Sequence, residues 1–225
     1  MPPLYAVAHR TLGTVLRGFW PTTVTGLEHL PAGSGAVLAA NHHAIADQLF
    51  LGVNTPRHIA FWAKAEYFRE AGLTRLVVTG MGAIPVERAG GRAVLSAFDA
   101  AVPILRSGGL VAVFVEGTRS PDGRLHRGRT GAVRLAAQAG VPVVPVGIRG
   151  TDRIRPAGRR LPRRHPIRLD FGPPIPVKVA SASDARRLTD EVVARIQGLT
   201  GQEYVPKYAA LPSSATPGGT PPAGR

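Results

Sequence analysis

The chain has no cysteine, only three lysines (Lys64, Lys178 and Lys207), and half as many acidic as basic residues, 14 against 28. Without cysteine, neither disulfides nor thiolate metal sites are available. Aromatic residues make up only 6% of the 225, and no basic stretch interleaves them as a groove for stacking single-stranded nucleic acid would require. No uninterrupted apolar run is long enough to cross a bilayer, and the N-terminal flanks do not resemble a cleavable signal peptide. What remains is a chain that is 44% hydrophobic, enough for one good core with extensions. Its formal charge of +14 is carried almost wholly by arginine. That balance points to an anionic partner: nucleic acid, a phosphate-bearing substrate or an anionic membrane surface.

The most informative stretch is Asn41-His42-His43-Ala44-Ile45-Ala46-Asp47. An apolar run, Gly35 to Ala40, leads into it, and Gln48-Leu49-Phe50-Leu51 turns apolar again behind it. This pattern predicts a buried strand ending where a helix begins, the place where an α/β protein exposes reactive side chains. A histidine with a nearby carboxylate is the minimum equipment of a general base, because the carboxylate fixes the tautomer and supports the imidazolium. The bland alternative is a polar N-cap on an ordinary helix. Spacing slightly favours His43, four residues before Asp47 and on the same face of a continuous helix. His42 qualifies only from the turn before the helix.

Along the chain, Leu4, Val7, Leu12, Val15, Leu16 and Phe19 give the segment before Pro21 a basic amphipathic pattern with His9, Arg10 and Arg17. Such a helix, ending at Trp20, either lies among lipid headgroups or packs on its own domain. A helix is predicted from about Ala46 to Val53, a strand over His58–Trp62 and a helix over Ala93–Leu105. A buried strand follows at Leu110–Val115, then a helix from Thr130 to Ala139. Val141–Val146 carries two prolines, which predict an edge or irregular strand. A basic connection holds seven arginines from Arg149 to Arg164. Ile167–Phe171 alternates like a half-buried strand, and Ser183-Asp184 is the expected cap of a helix to about Gly198. Residues 1–23 read as an amphipathic helix open to membrane association, 24–200 as one domain, and 201–225 as a disordered Pro/Gly-rich tail. Alternating strands and helices predict a layered α/β domain.

Three strand ends carry polar signatures: N-H-x-x-x-x-D at Asn41–Asp47, Ile84-Pro85-Val86-Glu87-Arg88, and Phe114-Val115-Glu116-Gly117-Thr118-Arg119-Ser120. With Val143-Val144-Pro145-Val146 and the lysine of Phe61-Trp62-Ala63-Lys64, they occur in the order of the glycerolipid acyltransferases. The chain resembles most the bacterial 1-acyl-glycerol-3-phosphate (lysophosphatidic acid) acyltransferases, over roughly Val24 to Phe171. E-G-T-R-S is moderately specific, and all four elements in sequence are strongly so.

The resemblance implies a mixed, largely parallel sheet flanked by helices. It also implies direct attack of a glycerol hydroxyl on an acyl thioester, giving phosphatidic acid without an acyl-enzyme. It assigns the base to His42 and its partner to Asp47, against the spacing preference. Arg88 and Arg119 match the family's acceptor site, where guanidinium groups grip phosphate bidentately. Glu116, Gly117 and Thr118 are expected to line that pocket, Glu116 holding a glycerol hydroxyl or Arg119. Lys64 supports either the phosphate or the developing oxyanion, and Val144 and Pro145 are assigned to the acyl-donor pocket. Arg127 and Arg129 meet the donor's phosphates or face solvent. No metal or bound cofactor is implied; acyl-CoA or acyl-carrier protein is the co-substrate, and a lysophospholipid the acceptor. Attachment is expected to be peripheral, at the cytoplasmic face of an anionic membrane. The rival readings are another lipid acceptor, such as glycerol 3-phosphate or a glycolipid, and a basic nucleic-acid- or membrane-binding module without catalysis. For nucleic acid there is no recognition helix, zinc-ligand pattern or stacking groove; for a serine esterase there is no G-x-S-x-G elbow.

Overall fold

The apolar run before Asn41 becomes β2 (Ala36–Ala40), with every side chain buried. The fold is that of a computed structural model describing residues 2–69, 72–86, 91–156 and 161–211. A strand apolar at every position needs cover on both faces. β2 lies between β6 (Leu110–Phe114) and β8 (Val143–Arg149), parallel to both. β3 (Ile59–Ala60) continues the sheet in parallel beyond β6. On the other side β9 (Ile167–Phe171) runs antiparallel to β8, and β1 (Thr22–Thr25) parallel to β9. The six strands stand in the order β1-β9-β8-β2-β6-β3.

Alternation along β2 then divides the core. Val37 and Ala39 face α5 (Gly91–Arg106), α6 (Gly131–Ala139) and α7 (Ala182–Thr200), meeting a cluster that includes Leu105, Leu135 and Ile196. Ala36, Leu38 and Ala40 turn the other way, towards Val144, Ile148 and Leu51 of α2 (Ala46–Asn54). Burying a side chain such as Leu38 completely stabilises the fold by roughly 1.5–3 kcal/mol. Gly147 lets α7 approach β8 closely: a Cβ there would lie 2.7 Å from that of Leu199. The result is the expected α/β architecture, with the carboxyl ends of β2, β6 and β8 on one edge.

α1 (Pro3–Phe19) packs outside α2 and has two faces. Tyr5 and Leu16 are buried, while Val7 and Val15 are 59% and 64% exposed. Polar side chains of α1 also turn inward. Tyr5 Oη donates to Gly52 O at 3.1 Å, the His9 ring to Thr55 O at 3.1 Å, and Arg17 Nη1 to Val53 O at 2.7 Å. All three meet carbonyls at the α2 C-terminus, which the helix itself leaves unpaired. Trp20, at the end of α1, donates its indole N–H to Arg163 O at 2.8 Å.

Other expectations shift. The single strand over His58–Trp62 divides at Phe61, whose carbonyl accepts from Ile84 N. Beyond it, β4 (Trp62–Lys64) leaves the main sheet to pair with β5 (Ile84–Val86). β8 is interior despite its proline. Pro145 O accepts from Gly172 N on the β9 side, just where the ladder to β9 ends at Val146, so the missing N–H breaks no bond to β2. The cap of α7 falls earlier, at Ser181, in a reciprocal capping box with Asp184. Residues 201–211, expected within the tail, run back across the body, where β10 (Tyr204–Val205) pairs with β7 (Leu125–His126). Residues 212–225 lie outside the described residues.

Candidate active site

Where β2 ends, the Asn41 side chain takes over its pairing with β8. Its Nδ2 donates to Ile148 O at 2.9 Å and its Oδ1 accepts from Ile148 N at 2.8 Å. Only an amide supplies donor and acceptor side by side in this way. The chain then turns through 42–45 before α2 begins at Ala46, so His43 and Asp47 never share a continuous helix. Asp47 rises from the first turn of α2, where the helix N-terminus favours a carboxylate. It is fully buried, and its Oδ2 accepts from His43 N at 2.6 Å, His42 Nδ1 at 2.8 Å and Ala44 N at 2.9 Å.

With Oδ2 as common acceptor, the network assigns the His42 proton to Nδ1 and leaves Nε2 its lone pair. The His42 ring lies flat on Phe114, centroids 3.8 Å apart and planes 11° from parallel, with its side chain 13% exposed. The structure therefore brings His42, not His43, to Asp47. The ring of His43 makes no hydrogen bond among the described residues; its backbone N–H does.

The second strand end closes over the first. Ser120 N donates to His42 O at 2.7 Å, tying the turn after β6 to the histidine loop. Glu116, expected to line the acceptor pocket, is held by backbone donors. It is 1% exposed, its Oε1 accepting from His126 N at 2.9 Å and its Oε2 from His42 N at 3.3 Å. Burial pushes its carboxyl above the usual range, against the pull of those two backbone donors. Gly117 has φ +73°, and a Cβ there would lie 2.9 Å from Arg129 Cδ, so the turn requires glycine on both counts. Thr118 is half-buried, and Arg119 is exposed without a hydrogen-bond or ion-pair partner among the described residues.

The remaining sites are distributed unevenly. Lys64 ends β4, beside β5, and Arg88 falls outside the described residues. Val144 and Pro145 are not brought to a ligand-accessible surface. Both are buried within β8, Val144 in the core with Leu38, because the strand is interior and covered on both faces. An apolar cavity of about 190 Å³ opens instead between α1, α2 and α4 (Leu73–Gly80), with Tyr5, Leu12, Leu49, Phe61, Trp62 and Val78 among its lining. The sequence signal for it was the apolar face of α1, which periodicity could not assign to lipid or to protein. Arg127 and Arg129 are half-buried, and both guanidinium groups lie 5.1 Å from the centroid of the Tyr208 ring, with Arg127 also on the lining of an open cleft beside α7.

A largely parallel sheet ending in a histidine–carboxylate pair, with a glycine turn closing over it, defines an α/β protein whose polar groups gather at its strand ends. The Acyltransferase family profile matches residues 21–149, and the chain belongs to that family. A 1-acyl-sn-glycerol-3-phosphate acyltransferase of Bacillus subtilis is 30% identical over 174 residues, 76% of this chain and 82% of the relative. A chloroplastic protein of the same name from Brassica napus is 32% identical over 145 residues, 62% of this chain. The chain spans about two-fifths of the length of that protein and of its Arabidopsis thaliana counterpart, 40% and 39%. Among solved structures, the 1-acyl-sn-glycerophosphate acyltransferase PlsC of Thermotoga maritima superposes with a TM-score of 0.65 at 27% identity, over 86% of this chain and 82% of that one.

Proposed function

We propose that this protein transfers a fatty acyl group from a thioester to the free hydroxyl of 1-acyl-glycerol 3-phosphate, giving phosphatidic acid. The observation that carries the reading is the 2.8 Å contact between His42 Nδ1 and Asp47 Oδ2, which leaves Nε2 as the free base. The names of the relatives support the choice of acceptor. Nε2 takes the hydroxyl proton as the oxygen attacks the thioester carbonyl, and Asp47 supports the imidazolium that forms. Collapse of the tetrahedral oxyanion breaks the C–S bond, and His42 returns the proton to the leaving thiolate. Arg119, exposed and unpaired among the described residues, is the cation offered to the acceptor's phosphate; Arg88 is assigned there by its motif alone. Lys64 is proposed to assist at the phosphate or the oxyanion. The cavity between α1, α2 and α4 is the proposed seat of the acyl chain, close in sequence to Asp47 through Gln48 and Leu49.

The same reading covers the membrane. No helix among the described residues is long and apolar enough to cross one. The outward face of α1 nevertheless exposes Leu4, Val7, Val15 and Phe19, and α4 exposes Leu76 and Val77. Such a face fits peripheral seating in an anionic bilayer. The test is purified protein with labelled palmitoyl-CoA or oleoyl-CoA and a panel of lysophosphatidic acid, glycerol 3-phosphate and monoacylglycerol, read by mass spectrometry. Labelled phosphatidic acid is expected. Equal use of the neutral acceptor would refute the phosphate reading, and no transfer to any acceptor would refute acyl transfer.

A further inference from the structure

We infer that the segment from Gln202 to Ala209, crossing the body after α7, is a strap that positions the His42 loop from two sides. Leu125 N donates to Glu203 O at 2.9 Å and Arg127 N to Lys207 O at 3.0 Å, so the strap lies along β7, directly beyond the Glu116 turn. Its first contact is Gln202. The side-chain Oε1 accepts from Asn41 Nδ2 at 3.0 Å, and Nε2 donates to Gly123 O at 2.8 Å. Asn41 immediately precedes His42, so Gln202 fixes the amide from which the histidine loop departs.

The second contact is Tyr208. Its ring takes the Arg127 and Arg129 guanidinium groups, and its hydroxyl accepts from Arg186 Nη1 at 3.2 Å. Arg129, held against the ring, reaches Ala209 O through Nη2 at 3.4 Å and Glu116 O through Nε at 3.3 Å. Its stem fills the space beneath Gly117. Glu116 in turn accepts from His42 N. A continuous path of contacts thus runs from Tyr208 through Arg129 and Glu116 to His42, while Gln202 reaches the same loop through Asn41. Tyr208 is 48% exposed and belongs to no core cluster, so its contacts serve the loop more than the global fold. Gln202 and Tyr208 are positioning residues that act through Asn41 and Arg129.

The kinetic part of this inference rests on the proposed acyl transfer, and its spectroscopic part does not. In the 225-residue chain, Tyr208→Ala and Gln202→Ala are compared with Tyr208→Phe, with the surface control Leu211→Ala and with wild type. The imidazole NMR resonances of His42, assigned by their loss in His42→Ala, are expected to move in the two alanine variants. They should stay in place in Tyr208→Phe, which keeps the ring, and in Leu211→Ala. In acyl transfer, kcat should fall about tenfold or more for Tyr208→Ala, with the donor KM little changed, as for a displaced base. Arg129→Lys supplies a second variant should Tyr208→Ala fail to fold, and is expected to move the same resonances. Combining it with Tyr208→Ala should add little, since both act on one path. Unmoved His42 resonances in Tyr208→Ala or Arg129→Lys and in Gln202→Ala would overturn the strap, whatever the reaction. Wild-type kcat in an active Tyr208→Ala enzyme would overturn it as well. Absence of transfer by the wild-type protein would count against the proposed function alone, and the resonances would still decide the strap.

Discussion

Asparagine at position 47 separates the charge of the carboxylate from its geometry. Because Oδ2 alone accepts from His42 Nδ1, His43 N and Ala44 N, an asparagine carbonyl placed there keeps all three bonds and the His42 tautomer. The flipped amide would set its NH2 against two backbone N–H donors and is disfavoured. The NH2 then occupies the Oδ1 position, which is buried without a partner among the described residues, costing about 1–3 kcal/mol of stability. The rate loss should be that of the charge. Unit charges about 4 Å apart at an effective dielectric near 20 interact by roughly 4 kcal/mol. Asp47 is fully buried and the His42 side chain only 13% exposed, so little of this is screened away. At about 1.4 kcal/mol per tenfold, kcat for Asp47→Asn should fall roughly 10²–10³-fold. Asp47→Ala, which also frees the ring and two backbone donors, should lose more, up to roughly 10⁴-fold. Single-turnover acyl transfer under saturating lysophosphatidic acid measures both, with circular dichroism and urea unfolding confirming the fold. An Asp47→Asn rate within about threefold of wild type would remove the charge from the mechanism. An asparagine variant as slow as alanine would refute the idea that its carbonyl preserves the ring.

Arg119→Ala should raise the KM for lysophosphatidic acid about tenfold or more while sparing the acyl-CoA KM, and Arg119→Lys should rescue it in part; a loss confined to acyl-CoA would move the arginine to the donor site. Val7→Glu with Val15→Glu should release the protein from anionic vesicles in flotation at low salt without unfolding it, since both side chains point outward; acidic residues at Leu12 or Leu16 would instead damage the cavity and core. Unaltered flotation would make that face of α1 irrelevant to lipid. At the far edge of the sheet, burial alone would raise the Asp170 carboxyl, but Arg168, Thr25 and Arg149 outweigh it and hold it below the usual range. A depressed native pKa contributes stability above the unfolded value near 3.8 that is lost as pH falls through the native one. Asp170→Asn should therefore cost roughly 1–2 kcal/mol at neutral pH, discounted because both arginines are more than one-third exposed, and lose less on acidification than wild type. Urea titrations at pH 7 and pH 3 check this; parallel losses in the two proteins would refute it.

The sequence by itself determined the layers and the site's location. A strand apolar at every position, Ala36 to Ala40, has to be covered on both faces, and a polar cluster at its end has to sit at an edge of the sheet. Local signals of this kind depend on solvent and backbone alone, so they can be read without neighbours. Gly117 is legible only as part of E-G-T-R-S, and its positive φ in the turn after β6 appears in the structure. Long-range contacts decided the rest. The choice of His42 over His43, which spacing on one continuous helix opposed and the family motif favoured, follows from α2 starting at Ala46, as its pattern predicted, with both histidines left in the turn before it. The interior place of β8 depends on which side of Pro145 lacks its N–H, a question that exists only once β2 and β9 flank it. Glu116 carries the same letter whether it meets a ligand or two backbone amides, and Arg129 whether it meets phosphate or Tyr208; the partner, ten residues away in one case and 79 in the other, fixes the role. Tertiary structure alone brings Gln202 to Asn41, because a hydrogen bond between residues 161 apart leaves no trace in local pattern.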